Sequence, residues 1–358
     1  MMNHLLYIGE NPIKIKNGGD WINKRNILVL QQIYEADFSI YDVKYENKFV
    51  TFTNLLMNYM SGLSITTTSL ILEKIKEDKI TAVFLASSRY GKIAKIIKRK
   101  FPYITIYIFF HNIEKHYISE NCRVNPSWKN RMISSVIAYN ERMSCLYGDY
   151  FIVLNQRDQL LLKSYYNIES TFLLPTTFID KYDPTKKRTI DIEHTFTILF
   201  VGFAFFANIE GVTWFIENIC PALRNYRLQI VGSGMDTKFT SSNNIEVHGF
   251  VDDLADFYYN ADLVILPIFS GGGMKTKTAE ALMYGCPIVG TKEAFEGYEL
   301  DYERVGGVAN TKEEMIDRIE TLQMNLDKRI EAGKYARTIF EQKYEFSRTV
   351  EILKNRML

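Results

Sequence analysis

Apolar runs of strand length alternate along the chain with longer stretches in which apolar residues recur every three or four positions. The runs fall at 5–9, 81–86, 103–110 and 150–154 in the first half, and at 196–201, 228–231, 245–247, 263–267 and 287–291 in the second. Such runs, rich in β-branched and aromatic residues and separated by helix-length segments, predict βαβ units around parallel sheets. The helix signal is clearest after 196–201. There Val212, Phe215, Ile216 and Ile219 stand at i, i+3, i+4 and i+7, and Pro221 closes the run. Residues 176–194 break the rhythm, being polar and charged with no sustained periodicity, and read as a linker. The pattern therefore predicts an α/β chain of two doubly wound domains.

Composition narrows the function classes. With 47% apolar and 24% charged residues over 358 positions the chain is an ordinary globular one, not disordered or fibrous. Its longest apolar runs, 106–110 and 263–269, fall far short of the roughly 20 residues of a membrane-spanning helix. The opening MMNHLLYIGENP lacks a basic region and reads as a first strand, not a signal peptide, so cytoplasmic residence is expected. Cys122, Cys145, Cys220 and Cys286 stand far apart, which argues against a disulfide framework or a zinc knuckle and for reduced core residues.

The net charge of +1 conceals an asymmetry. Residues 1–175 carry 22 Lys and Arg against 15 Asp and Glu, a balance of +7, whereas 176–358 carry 21 against 27, a balance of −6. Two surfaces facing different partners are implied. Residues 91–101 place Ile93, Ile96 and Ile97 on one helical face and Lys92, Lys95, Lys98 and Arg99 elsewhere. This is either a crossover helix with a solvated lysine face, the simpler reading, or a basic amphipathic helix in peripheral contact with an anionic membrane. Nucleic acid is not expected as a partner, because the basic residues are not interleaved with aromatics in one stripe.

Candidate chemistry concentrates in 261–291. A buried strand runs into Gly271, Gly272 and Gly273, and a helix follows from about Thr276 to Tyr284, stopped at Gly285. Glycines before a helix N-terminus expose backbone N–H groups to an anion, so this loop suits a phosphate or diphosphate. Lys275 and Lys277 add full charges there, and Glu280, one turn further in, is placed to accept hydrogen bonds from a ribose diol. Gly232-x-Gly234 follows a strand but lacks the third glycine and the long helix of a dinucleotide fingerprint, so a nicotinamide enzyme is not the reading. In the first half, the strand at 103–110 ends in His111-Asn112-Ile113-Glu114, a polar cluster at a strand's carboxyl end. It serves either a ligand or the backbone of its own loop.

The run from Gly273 to Thr291, followed by Glu296-Gly297, resembles the donor-binding segment of retaining GT-B glycosyltransferases, the family-4-like group that includes bacterial capsule and O-antigen sugar transferases. Val201-Gly202 with Asn208, then Gly232 and Gly234, then Gly249-Phe250-Val251, follow in the order that group shows. The resemblance implies a GT-B fold of two Rossmann-like domains facing across a cleft: 1–175 for the acceptor, the linker 176–194, 195–340 for the donor, and a helix in 341–358 returning toward the first domain. It implies transfer of a sugar from a nucleotide diphosphate sugar, a UDP-sugar favoured, to a saccharide or lipid-linked saccharide with retention, in surface polysaccharide synthesis.

By the same resemblance Glu280 holds the ribose, and Gly271, Gly272, Gly273, Met274 and Thr276 with Lys275 or Lys277 hold the diphosphate. Phe250 and Val251 lie against the nucleobase, Gly202, Asn208, Gly232 and Gly234 shape the donor edge, and His111 looks onto the sugar. Gly18, Gly19 and Asp20, with Asn112 and Glu114, are acceptor candidates. His111, Lys275 and Glu280 are the expected catalytic set. Two features depart from the group: Gly272 stands where a glutamate is common, and VGFAFFANIEG lacks the usual basic pair. No cofactor and no metal are expected, since the loop supplies cations and no Asp-x-Asp occurs. The alternatives are a nucleotide-sugar epimerase on the same fold or a non-catalytic GT-B partner protein.

Overall fold

The computed structural model describes residues 4–44, 48–118, 127–186, 195–271 and 273–358. Gly272, Cys122 and residues 187–194 of the expected linker lie outside the described residues. The chain divides into two compact units, one comprising residues up to Ile15, Gly19–Pro175 and Thr349–Leu358, the other Lys16–Gly18 and Thr176–Arg348.

The first unit is built on β1 (Leu5–Gly9), β2 (Phe38–Asp42), β3 (Ala82–Leu85), β4 (Thr105–Phe110), β5 (Tyr150–Val153) and β6 (Phe172–Leu173). They form one parallel sheet in the order β2-β1-β3-β4-β5-β6, with Leu5 opposite both Phe38 and Ala82. Helices cover its faces, so β1 and β3 are buried along their whole length, which is why they read as unbroken apolar runs. The edge strand β2, FSIYD, is only half-buried and carries no such signal.

The second unit repeats the plan with β7 (Phe196–Val201), β8 (Tyr226–Val231), β9 (Ile245–His248), β10 (Leu263–Leu266), β11 (Ile288–Gly290) and β12 (Gly306–Val308). Its parallel order is β12-β11-β10-β7-β8-β9, so the winding reverses between β7 and β10. Loops leaving the carboxyl ends of those two strands diverge there and open a crevice. The strand β12 has only Gly-Gly-Val, because a Cβ at Gly306 would stand 2.4 Å from the Ile288 carbonyl oxygen of β11. The helix Phe206–Asn218 buries Val212 and Phe215, as its periodicity predicts.

Part of the stretch read as a linker is fastened to the second unit. Phe178 donates its N–H to the Tyr344 carbonyl at 2.9 Å and accepts from the Phe346 N–H at 2.8 Å. Arg337 forks onto the Asp180 carboxylate, with Nη1 2.8 Å from Oδ1. Beyond a π-helical turn, Phe340–Tyr344, the final helix spans Phe346–Met357, and the Met357 carbonyl accepts a hydrogen bond from Tyr34 of the first unit at 3.1 Å. Among the described residues no helix is long and apolar enough to cross a membrane. Cys145, Cys220 and Cys286 are buried free thiols, each pushed up by burial.

Candidate functional site

The crevice of the second unit gathers residues from the loops at the carboxyl ends of β7, β8, β9 and β10 and from the helices Phe206–Asn218 and Thr276–Met283. After β10 the chain passes through Gly271 and Gly273, both at positive φ, into the helix Thr276–Met283. The Tyr298 hydroxyl locks loop to helix, donating to the Lys275 carbonyl at 2.6 Å while accepting from the Ala279 N–H at 3.2 Å. Met274 is buried, and its sulfur lies 3.4 Å from the Thr176 amide, so its side chain secures the loop and leaves only its backbone for a ligand.

The two lysines have different surroundings. Lys275 is paired with Glu293 at 2.6 Å and donates to the Gly273 carbonyl at 3.1 Å, which makes it a brace across its own loop. Lys277 reaches across to the first turn of the helix Phe206–Asn218, where Nζ donates to Asn208 Oδ1 at 2.5 Å, and it lies 4.5 Å from the centre of the Phe200 ring of β7. Asn208 is fixed in turn by donating to the Phe203 carbonyl at 2.8 Å. Gly202 makes room for this meeting: a Cβ there would fall 2.8 Å from both Lys277 Nζ and Asn208 Nδ2. Burial with no carboxylate in direct contact, and the nearby charge of Lys275, lower the Lys277 ammonium to about 7, against the pull of Glu280.

Glu280 sits three residues on, on the same helix face, and is partly open to solvent. Burial pushes its carboxyl up to about 7, opposed by the charges of Lys181 and Lys277 and by the neighbouring Tyr258 hydroxyl. A partly desolvated cation and a partly desolvated carboxylate thus stand side by side, each short of strong partners. Such an arrangement favours a ligand bringing an anion to one and hydroxyl donors to the other.

The remaining donor-side candidates surround this pair. Gly232 and Gly234 form a tight turn into a short 3₁₀ segment and not the start of a long helix, and a Cβ at Gly232 would collide with the Gly202 carbonyl at 2.1 Å. Phe250 is exposed just past β9, with Val251 half-buried beside it. A Cβ at Gly18 would meet the Thr276 side chain at 2.6 Å, so Gly18 adjoins the start of the same helix.

In the first unit, His111 at the end of β4 bonds through Nε2 to Asn23 Oδ1 at 3.1 Å and packs edge-on against Phe109. Burial, reinforced by the charges of Arg89 and Arg25, lowers its imidazole to about 4, so it is neutral at physiological pH. Glu114 is buried and paired with Arg89 at 2.6 Å, while its backbone N–H donates to Glu141 at 2.7 Å. It belongs to the packing of the unit more than to an open surface. Asn112 is half-buried, and its Oδ1 has no hydrogen-bond partner among the described residues. Gly19 and Asp20 lie in the first turn of the helix Gly18–Tyr34. Sequence reasoning missed Glu293, Arg89, Asn23 and Tyr258. These partners are 18 or more residues away along the chain, and only the fold brings them to the sites they serve.

Comparison with known proteins supports the assignment of the fold. Residues 195–325 match the family described as Glycosyl transferases group 1. No curated protein sequence matches the chain. Among solved structures, sucrose-phosphate synthase from Thermosynechococcus elongatus is similar at a TM-score of 0.77 and 12% identity, covering 99% of this chain and 98% of that one. Anabaena Alr3699/HepE, in complex with UDP and glucose, gives 0.70 at 14% identity over 99% of each chain. WaaG, a glycosyltransferase involved in lipopolysaccharide biosynthesis, gives 0.67 at 15% identity over 98% of this chain and 99% of its own. At these identities what is shared is the fold, and it is the GT-B fold of two doubly wound α/β domains.

Proposed function

We propose that the protein is a glycosyltransferase that moves a sugar from a nucleotide diphosphate sugar to a hydroxyl of a saccharide acceptor. The observation that carries this reading is the Lys277–Asn208 contact beside Glu280, at the point where the second sheet reverses its winding. The match of residues 195–325 to the glycosyl transferases, and the solution of the similarly folded Anabaena protein with UDP and with UDP-glucose, support the donor class and favour a UDP-sugar.

In this reading Lys277 meets the diphosphate, where negative charge grows as the glycosidic bond breaks, and Glu280 accepts from the ribose hydroxyls. Lys275, spent on Glu293 and Gly273, holds the loop in shape. Phe250 offers its exposed ring to the base. His111, being neutral, contributes a hydrogen bond and not a charge. Gly19, Asp20 and Asn112 are the acceptor-side groups. The anomeric configuration is retained by a front-face displacement in which the leaving phosphate takes the acceptor's proton; Glu293, a second carboxylate at the loop, is engaged by Lys275. The product belongs to a surface polysaccharide or glycoconjugate.

The test is release of nucleoside diphosphate from a panel of nucleotide sugars, with and without saccharide acceptors, followed by product analysis. Acceptor-dependent release is expected. Isomerised donor formed without acceptor would instead make the protein an epimerase, and nucleotide binding without turnover across the panel a non-catalytic partner. With lysine and backbone N–H groups placed for the diphosphate, transfer is expected to survive EDTA. Activity lost to the chelator and restored by Mn²⁺ would require a metal at the diphosphate.

Peripheral membrane contact is part of the same proposal, with a smaller charge than the sequence suggests. On the helix Gly91–Lys100, Lys98 is paired with Asp149 at 2.7 Å, and Lys92 lies over the Tyr59 ring while donating to the Met57 carbonyl. Lys95, Arg99 and Lys100 remain for lipid, at about 1 kcal/mol each near an anionic surface. Sedimentation with anionic vesicles is expected to exceed that with neutral ones and to weaken with salt. Equal binding to both would leave the helix a solvated crossover.

A further inference from the structure

The second unit has a cavity of about 420 Å³ away from the crevice. Its walls include Ala261 and Asp262, just before β10, and Cys286 and Pro287, just before β11, so it lies at the amino ends of these strands, whereas Lys277 and Glu280 follow the carboxyl end of β10. We infer that this cavity binds a monosaccharide phosphate and that its occupant acts on Glu280 through two stacked tyrosines.

The lining sets the ligand class. Tyr182, Tyr259 and Tyr284 line it, with centroids 5.9 Å apart for Tyr182 and Tyr259 and 5.3 Å for Tyr259 and Tyr284; Arg337 lies over one face of Tyr182 at 4.6 Å and Tyr258 over one face of Tyr284, which leaves their other faces and edges for a ligand. The hydroxyls of Tyr182 and Tyr284 hold no protein partner among the described residues. An all-apolar ring would leave them unsatisfied, whereas a sugar exchanges hydrogen bonds with them and packs its C–H face on the rings. Lys334 and Arg337 stand at i and i+3 on the helix Leu326–Ile339 and face the same cavity. Arg337 is held by Asp180 and Glu341, which keeps it in place, while the exposed Lys334 has no ion-pair partner among the described residues. A cation pair with one uncompensated member beside hydroxyl-bearing rings matches a phosphate joined to a sugar. The volume lies within the usual range of small-ligand pockets, about 300–1,000 Å³.

The route to Glu280 is short. Tyr284 lines the cavity and follows directly on the helix that carries Glu280, donating its N–H to the Glu280 carbonyl at 3.1 Å. Its ring lies on that of Tyr258 at 4.8 Å and 10°. Tyr258 is fully buried, and its hydroxyl, facing Glu280, lacks a well-formed hydrogen bond. A ligand pressing on Tyr284 therefore shifts Tyr258, a group that faces the Glu280 carboxylate. The coupling rests on the role of Glu280 proposed above; the binding does not.

The experiment is calorimetry of the full chain with glucose 1-phosphate, glucose and inorganic phosphate, without nucleotide, on the parent and on Lys334→Glu, Ile330→Trp and Glu280→Ala. Glucose 1-phosphate is expected to bind at least tenfold more tightly than either fragment. Lys334→Glu, an exposed change, and Ile330→Trp, which fills the cavity, are each expected to weaken it at least tenfold, and Glu280→Ala less than threefold. Saturating glucose 1-phosphate is then expected to change the parent's affinity for UDP by threefold or more, and that of Lys334→Glu not at all. Absence of binding, equal binding of phosphate alone, or loss confined to Glu280→Ala would overturn the site. Binding as expected with UDP affinity unmoved would overturn the coupling. Failure of the sugar-transfer assay would leave the binding result standing, so the two readings fail separately.

Discussion

Lys277→Ala is expected to slow turnover by about 10- to 150-fold while weakening nucleoside diphosphate binding by much less. Losing a charge-assisted hydrogen bond costs about 1.5 to 3 kcal/mol, which corresponds to that range of rates. The cost falls mainly on kcat, because the charge that Lys277 meets is still forming when the bond to the sugar breaks. Steady-state kinetics beside calorimetry with UDP, after circular dichroism shows the variant folded, measures the split. Lys275→Ala is the contrasting case. It removes the brace to Glu293 and Gly273, so it raises KM by loosening the loop and lowers kcat less. If Lys275→Ala instead reproduces the large kcat loss and Lys277→Ala does not, the roles of the two lysines are exchanged.

A pH dependence accompanies this split. In the empty protein the Lys277 ammonium is held down at about 7 by burial, and a bound diphosphate raises it. Between the lower value and the higher one the complex holds a proton that the free protein has lost. Affinity therefore falls as pH rises through that window, and the alkaline limb disappears in Lys277→Ala.

The parallel strands with both faces covered were legible because burial forces them to be apolar throughout, as in β1, β3 and β10. Those that were not legible are exceptions to that rule. The strand β2 is an edge with alternating polarity, β6 has two residues, and β12 is built on two glycines because the Ile288 backbone crowds Gly306 and the Arg318 side chain crowds Gly307. The glycine loop, Lys275, Lys277 and Glu280 were visible as a local motif, since they lie within ten residues of one another. Local spacing left the two lysines equivalent. Only Glu293, brought in from beyond β11, and Asn208, brought in from beyond β7, assign one to the loop and the other to the crevice. In the same way Glu114 looked like an open acceptor group until Arg89, 25 residues earlier, proved to hold it inside the unit. Within the stretch read as a linker, the attachment of Phe178 and Asp180 was not legible, because polar residues that clamp, as Asp180 clamps Arg337, look the same in sequence as polar residues that are solvated.

Glu280→Ala is expected to weaken UDP binding by about 10- to 150-fold, with kcat at saturating donor reduced far less. The ribose hydroxyls are bound in the ground state and the transition state alike, so their partner contributes uniform binding. The carboxylate is the acceptor these hydroxyls need, and a methyl group leaves them facing a partly buried site with no partner, which costs about 1.5 to 3 kcal/mol for a charged acceptor. Burial holds the Glu280 carboxyl up at about 7 in the empty protein, and hydroxyl donors favour its ionised form and draw it down. The free protein then carries a proton that the complex has lost, so affinity falls as pH drops below 7, the opposite direction to Lys277. Parent affinity is therefore expected to peak near neutral pH, with limbs that belong to the interacting pair and not to either residue alone. Glu280→Ala should abolish the acid limb and keep the alkaline one, and Glu280→Gln should restore part of the affinity without the acid limb. Calorimetry from pH 5.5 to 8.5 reads all three. UDP bound as tightly by Glu280→Ala as by the parent would remove Glu280 from the ribose, and with it the assignment of the crevice as the donor site.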